Sequence, residues 1–164
     1  MHALIKGCFI STFLVATSYA ADEGPKLPSY SKTLPELLAG KETGGPGGSE
    51  NSKVQVVTIL GNPAAPGPYA QLLKVKQGAR IAPHHHAGDR VATVLSGTWY
   101  FGYGAERSEK ELRALPRGSV YTEPSNAAHY AETHGEPVVI LITGTGPTDT
   151  VYENTADDPR TVKK

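Results

Sequence analysis

Short β-branched and aromatic runs, each closed by a glycine or proline signal, follow one another through this sequence and leave almost no stretch long enough for a helix. Val54 to Leu60 (VQVVTIL) ends at Gly61-Asn62-Pro63, and Tyr69 to Val75 is closed by Gln77-Gly78. Further runs are Val91 to Leu95, Thr98 to Tyr103, Ser119 to Thr122, His129 to Thr133 and Val138 to Thr143, with Ser96-Gly97 and Arg117-Gly118 as tight turns between them. Glu106 to Leu115 (ERSEKELRAL) has a helical look and is polar enough for a surface excursion. Many short strands with regular turn signals predict an all-β sandwich or barrel. Trp99 and Phe101 alternate with Tyr100, so one set faces inward, and the sequence does not say which.

The flanks read differently. Lys6 precedes the apolar Gly7 to Ala16 (GCFISTFLVA), and Ser18-Tyr19-Ala20 places small residues ahead of polar Ala21-Asp22-Glu23, the three-part pattern of a secretory signal. The apolar stretch falls short of the about 20 residues that a bilayer span needs. Residues 1–20 are therefore expected to be removed on export to the periplasm or outside the cell. Residues 21–52, with a helix-like patch at Leu34 to Leu38 and the run KETGGPGGSENS, read as a flexible, disordered arm. The domain is placed at 53–146 and a tail at 147–164. One domain suits a chain of 164 residues. The only cysteine is Cys8, so the processed chain has no disulfide and no thiolate ligand. Lys and Arg number 16, as do Asp and Glu, and this balance gives no general attraction to nucleic acid or anionic membrane.

Histidine carries the chemistry. His84-His85-His86 are consecutive, and on an extended segment neighbours point to opposite faces. His84 and His86 then share a face on which two imidazoles can chelate one ion, while His85 faces away. His129, at a strand start after Pro124, is the candidate third ligand. Taken alone, such a triplet also fits a loop accident or a metal-scavenging tract. Neutral imidazole suits iron, zinc, copper and nickel.

The neighbourhood of these histidines resembles the cupin family. The first cupin motif runs Gly, five residues, His-x-His, three or four residues, Glu, six residues, Gly; this chain has Gly78, His84-x-His86, Arg90 and Gly97 at those places. The second runs Gly, five residues, Pro-x-Gly, two residues, His, three residues, Asn; here stand Gly118, Pro124-Ser125-Asn126, His129 and Thr133. The resemblance covers about Val54 to Thr143. It implies an antiparallel double-sheet jelly-roll barrel, one divalent transition-metal ion on His84, His86 and His129, and pairing as a homodimer through the arm or an edge strand. Asn126 replaces a motif glycine and tolerates the left-handed conformation that such a turn requires.

The departure is at the carboxylate ligand. Arg90 stands in its place, and a guanidinium stays protonated and cannot ligate a cation. The remaining three-histidine set resembles that of the iron dioxygenases among cupins. Iron is the first expectation, then zinc, manganese, nickel or copper. Arg90 has two readings: a catalytic clamp for an anionic small-molecule substrate, or a structural ion pair with Glu123 or Asp89. Asp89 turned inward as a ligand on a bulged strand is a further alternative, as is a barrel that binds a ligand without metal. The favoured function is a metal-dependent enzyme, dioxygenase-like. The alternatives are a periplasmic binding module and an isomerase or lyase.

Overall fold

The computed structural model describes residues 27–43 and 48–161, so residues 1–20, read above as a secretory signal, lie outside the described residues, as do 21–26, 44–47 and 162–164. Ten strands form two five-stranded antiparallel sheets. In chain order they are β1 (Val54–Leu60), β2 (Gly67–Val75), β3 (Arg80–His85), β4 (Arg90–Ser96), β5 (Thr98–Tyr103), β6 (Arg113–Pro116), β7 (Val120–Glu123), β8 (His129–Glu132), β9 (Val138–Gly146) and β10 (Val151–Tyr152). One sheet has the order β1-β2-β9-β4-β7 and the other β10-β3-β8-β5-β6. This double sheet is the all-β architecture that the turn spacing predicts. The helix-like patch is a single short helix, α1 (Leu34–Leu38), with a Thr33–Glu36 capping box and Pro35 in its first turn.

The core lies between the inner faces. Val56, Leu73, Val94, Ile140 and Ile142 come from the first sheet, and Trp99 and Phe101 from the second. Burial thus resolves the alternation in β5: Trp99 and Phe101 point inward, and Tyr100 stacks outside on His134 at 3.8 Å between ring centroids. The turn glycines Gly78, Gly97 and Gly118 have φ of 64°, 73° and 86°, and Asn126 has φ 57°, the left-handed conformation expected of each. Gly102 has a different reason to lack a side chain. A Cβ there would meet the Tyr130 ring at 2.6 Å.

Glu106 to Leu115 departs from its helical look. Only Glu109–Glu111 forms a helical turn, of the 3-10 type, and Arg113–Pro116 is strand β6. Pairing decides it: Trp99 sits opposite Leu115 and Phe101 opposite Arg113, and Leu115 is buried in the core. A strand edge in need of partners outweighs weak local helix propensity.

The flanking segments touch the barrel. Thr43 N–H donates to Val56 O at 2.9 Å, and Lys74 Nζ donates to Leu38 O at 2.7 Å. Ser49 is only 4% exposed, and its carbonyl accepts the Tyr152 hydroxyl. Strand β10, within the stretch read as a tail, pairs Tyr152 with His84 on β3. Among the described residues no helix is long and apolar enough to cross a membrane.

Candidate metal centre

His84 and His129 are register partners across β3 and β8, so pleating alone places both rings on the same inner face. His86 follows the end of β3. Its carbonyl accepts Asn126 N–H at 2.8 Å, which ties the first motif to the turn of the second. The three rings lie 4.4 to 5.1 Å apart between centroids, and their ligand nitrogens fall within 4.8 Å of one another. His85 turns away and bonds Glu153 at 2.6 Å. Asp89 accepts the Ser125 N–H at 2.7 Å and does not join the cluster.

The tautomers follow from the outer partners. His84 Nδ1 donates to Ala82 O at 2.8 Å, His86 Nδ1 to Asp149 O at 2.5 Å and His129 Nδ1 to Ala127 O at 3.0 Å. A carbonyl only accepts, so each Nδ1 carries the hydrogen and each Nε2 presents a lone pair to the centre. All three side chains are buried. Burial depresses the His84 pKa to about 3 and, with Arg90 beside it, that of His86 to about 2; it lowers that of His129 as well. The donor set is thus three neutral imidazoles, the form that binds a transition metal. His129 Nε2 is buried without a hydrogen-bond partner. Such an atom is costly to bury unless something accepts its lone pair, so the residues fit an ion.

Arg90 lies at the centre too, 3% exposed on the inner face of β4. Its register partner across β7 is Glu123, itself 4% exposed. Arg90 Nε donates to Glu123 Oε2 at 2.5 Å, and Nη2 bonds the same oxygen. Arg90 Nη2 also donates to His86 Nε2 at 2.5 Å. Burial opposes the Glu123 charge, but the guanidinium outweighs it and holds the carboxyl pKa at about 2. Of the two readings of Arg90, the ion pair with Glu123 is present. Sequence reasoning named Glu123 only as a counter-ion, although its place just before Pro124 puts it on the strand that faces β4.

The centre is tightly enclosed. Phe101, Trp99, Tyr121 and Ser49 line a cavity of about 20 Å³ beside His84 and His129. That volume suits an ion or one water rather than an organic molecule. A larger hollow of about 760 Å³ lies around Tyr100, Glu132 and His134, and none of the three converging histidines lines it.

Neutral buried histidines make stability depend on pH. Their folded pKa values lie below the unfolded 6.5, so stability is complete above 6.5 and falls as acid protonates the unfolded chain. For the metal-free protein, His84 and His86 should each cost about 2 kcal/mol between about pH 7 and about pH 5. The urea midpoint at the two pH values measures this. A flat profile would mean that these imidazoles are protonated in the folded state.

No protein-family model and no curated protein sequence matches this chain. Solved structures match by shape. The polyketide cyclase RemF from Streptomyces resistomycificus aligns at TM-score 0.57 and 15% identity, over 66% of this chain and 77% of its own. A salicylate 1,2-dioxygenase from Pseudaminobacter salicylatoxidans aligns at 0.53 and 13%, over 64% of this chain and 32% of the dioxygenase. An RmlC-like cupin from Shewanella frigidimarina aligns at 0.48 and 16%, over 58% of this chain and 78% of its own.

Proposed function

The chain has the cupin fold, and on that footing we propose that it holds one divalent transition-metal ion on His84, His86 and His129 and acts on a small anionic molecule. The observation that carries this reading is the convergence of three neutral imidazoles, each oriented by a backbone carbonyl so that Nε2 faces its neighbours. Iron is the first choice of ion, then zinc, manganese, nickel or copper, all compatible with imidazole. A bound ion would supply Lewis acidity and, if iron, a place for oxygen to bind. The chain's own residues do the rest. Arg90, held by Glu123, presents positive charge beside the histidines and would orient an anionic group. Phe101, Trp99 and Tyr121 exclude bulk water, which strengthens every charge interaction inside. The likeness to a salicylate 1,2-dioxygenase makes an oxygen-dependent reaction the one to test first. Export through residues 1–20 and pairing as a homodimer belong to the same proposal.

A second reading has its own support. The cavity of about 20 Å³ is too small for an organic substrate unless Ser49, whose carbonyl accepts the Tyr152 hydroxyl, moves aside with its neighbours in the wall, and this favours a binding module that holds an ion without turnover. Oxygen consumption by the iron-loaded protein, across a panel of aromatic and aliphatic carboxylates, separates the readings. Uptake that requires a carboxylate supports the dioxygenase. Tight iron binding with no uptake and no substrate loss supports the binding module. Substrate loss at the same rate without oxygen supports an isomerase or lyase.

A further inference from the structure

From the geometry of the buried charges we infer that Glu123 is a fourth ligand to the ion, a carboxylate supplied from β7 in place of the one that the cupin pattern would put at residue 90. This rests on the metal reading above and adds an acidic residue to it. Arg90 and Glu123 are directly opposed across β4 and β7, so the carboxylate has moved one strand sideways while keeping the inner face. Glu123 Oε2 lies 3.6 Å from His86 Nε2 and 3.7 Å from His129 Nε2. Ligand atoms held about 2.1 Å from one ion at tetrahedral angles stand about 3.4 Å apart. The carboxylate oxygen therefore already sits near ligand spacing from two of the three imidazoles.

The arrangement exceeds what a counter-ion to Arg90 needs. An anionic oxygen and two imidazole lone pairs repel one another at these separations unless a cation stands among them. Arg90 Nη2 meets part of that demand, bonding both Glu123 Oε2 and His86 Nε2. It leaves His129 Nε2 without a hydrogen-bond partner. A divalent ion would engage all three nitrogens, and the carboxylate, which stands near two of them but outside their mutual 4.8 Å grouping, would close on the ion as Arg90 withdraws. Arg90 and the ion then compete for the His86 lone pair, and Arg90 yields that contact while its Nε stays on Glu123. With one carboxylate among the ligands the centre carries a net charge of about +1 rather than +2.

The test is the affinity of the full chain for Zn²⁺, by competition with a chromophoric chelator, together with the visible absorption of the Co²⁺-loaded protein. The variants are Glu123→Gln, Arg90→Gln and the double Arg90→Gln/Glu123→Gln. Glu123→Gln should bind Zn²⁺ roughly 100-fold more weakly than wild type, a loss at the upper end of that seen when only an outer partner of a ligand is removed. Arg90→Gln, which keeps the carboxylate and removes the competitor, should bind at least as tightly as wild type. Its Co²⁺ bands should match wild type, and those of the double variant should not. Should either single variant fail to fold, the comparison of wild type with the double variant decides the matter, because the double variant leaves no unpaired charge buried. Equal affinity and equal spectra in those two would make Glu123 only a counter-ion and leave the three-histidine site standing. Wild type that binds neither Zn²⁺ nor Co²⁺ would overturn the fourth ligand and the metal reading together.

Discussion

His129→Ala is expected to lower bound metal strongly from about one ion per chain, because the two remaining imidazoles, even with Glu123 beside them, hold an ion less firmly than the full ligand set. Elemental analysis after dialysis against a weak chelator measures it. The effect should be large because His129, on β8, faces His84 directly across the strand pair, and no other histidine or acid of the described chain lies near enough to substitute except Glu123. The double sheet should survive. The His129 ring packs on His84 at 4.4 Å and on Phe101 at 5.4 Å, so truncation leaves a cavity costing about 2–4 kcal/mol. A lower melting temperature with a single cooperative transition is the expected accompaniment. Unchanged metal content would remove His129 from the centre and with it the reading of a three-histidine site.

Arg90→Ala should have the largest effect on stability, about 3–5 kcal/mol, because it strands the Glu123 carboxylate in the interior. The pair is almost fully buried and its partners meet at 2.5 Å, so little solvent screens the interaction. Urea unfolding of the metal-free protein reads the loss directly. Removing both charges in Arg90→Met/Glu123→Gln should restore most of it, since desolvating two ions offsets much of what their attraction provides. A loss below about 1 kcal/mol in the single variant would place Glu123 in contact with solvent or protonated, and would undercut the buried pair. Added Zn²⁺ should rescue Arg90→Ala if Glu123 is a ligand, because the ion then supplies the missing positive charge.

These expectations meet at one point of chemistry. A cation is required among Glu123 and the imidazole lone pairs, and the chain carries one of its own in Arg90. That internal guanidinium can stabilise the site before an ion arrives, and on the proposed function it would afterwards face the anionic molecule. The oxygen-uptake experiment and the affinity series therefore probe the same group of atoms from two sides.

Much of the architecture was legible in the residues. Strand-forming runs closed by Gly78, Gly97 and Gly118 fixed the turns, because a positive φ is open to glycine at little steric cost. The His84-x-His86 spacing put two rings on one face through the period of a strand, and the turn with Asn126 behaved as a left-handed position should. What local sequence could not supply was partnership. Strand β6 exists because β5 offers it an edge, although ERSEKELRAL looks helical. Ser49 and Tyr152, from opposite ends of the described chain, meet over the histidines because β10 pairs with β3. Arg90 read alone was equally a substrate clamp or half of a salt bridge. Only the register of β4 on β7 set Glu123 against it, since a cross-strand neighbour is separated by 33 positions in the chain and by one hydrogen-bonded step in space. Residue types and their period decide which side chains turn inward, and strand pairing decides which of those inward charges must share one small, dry volume.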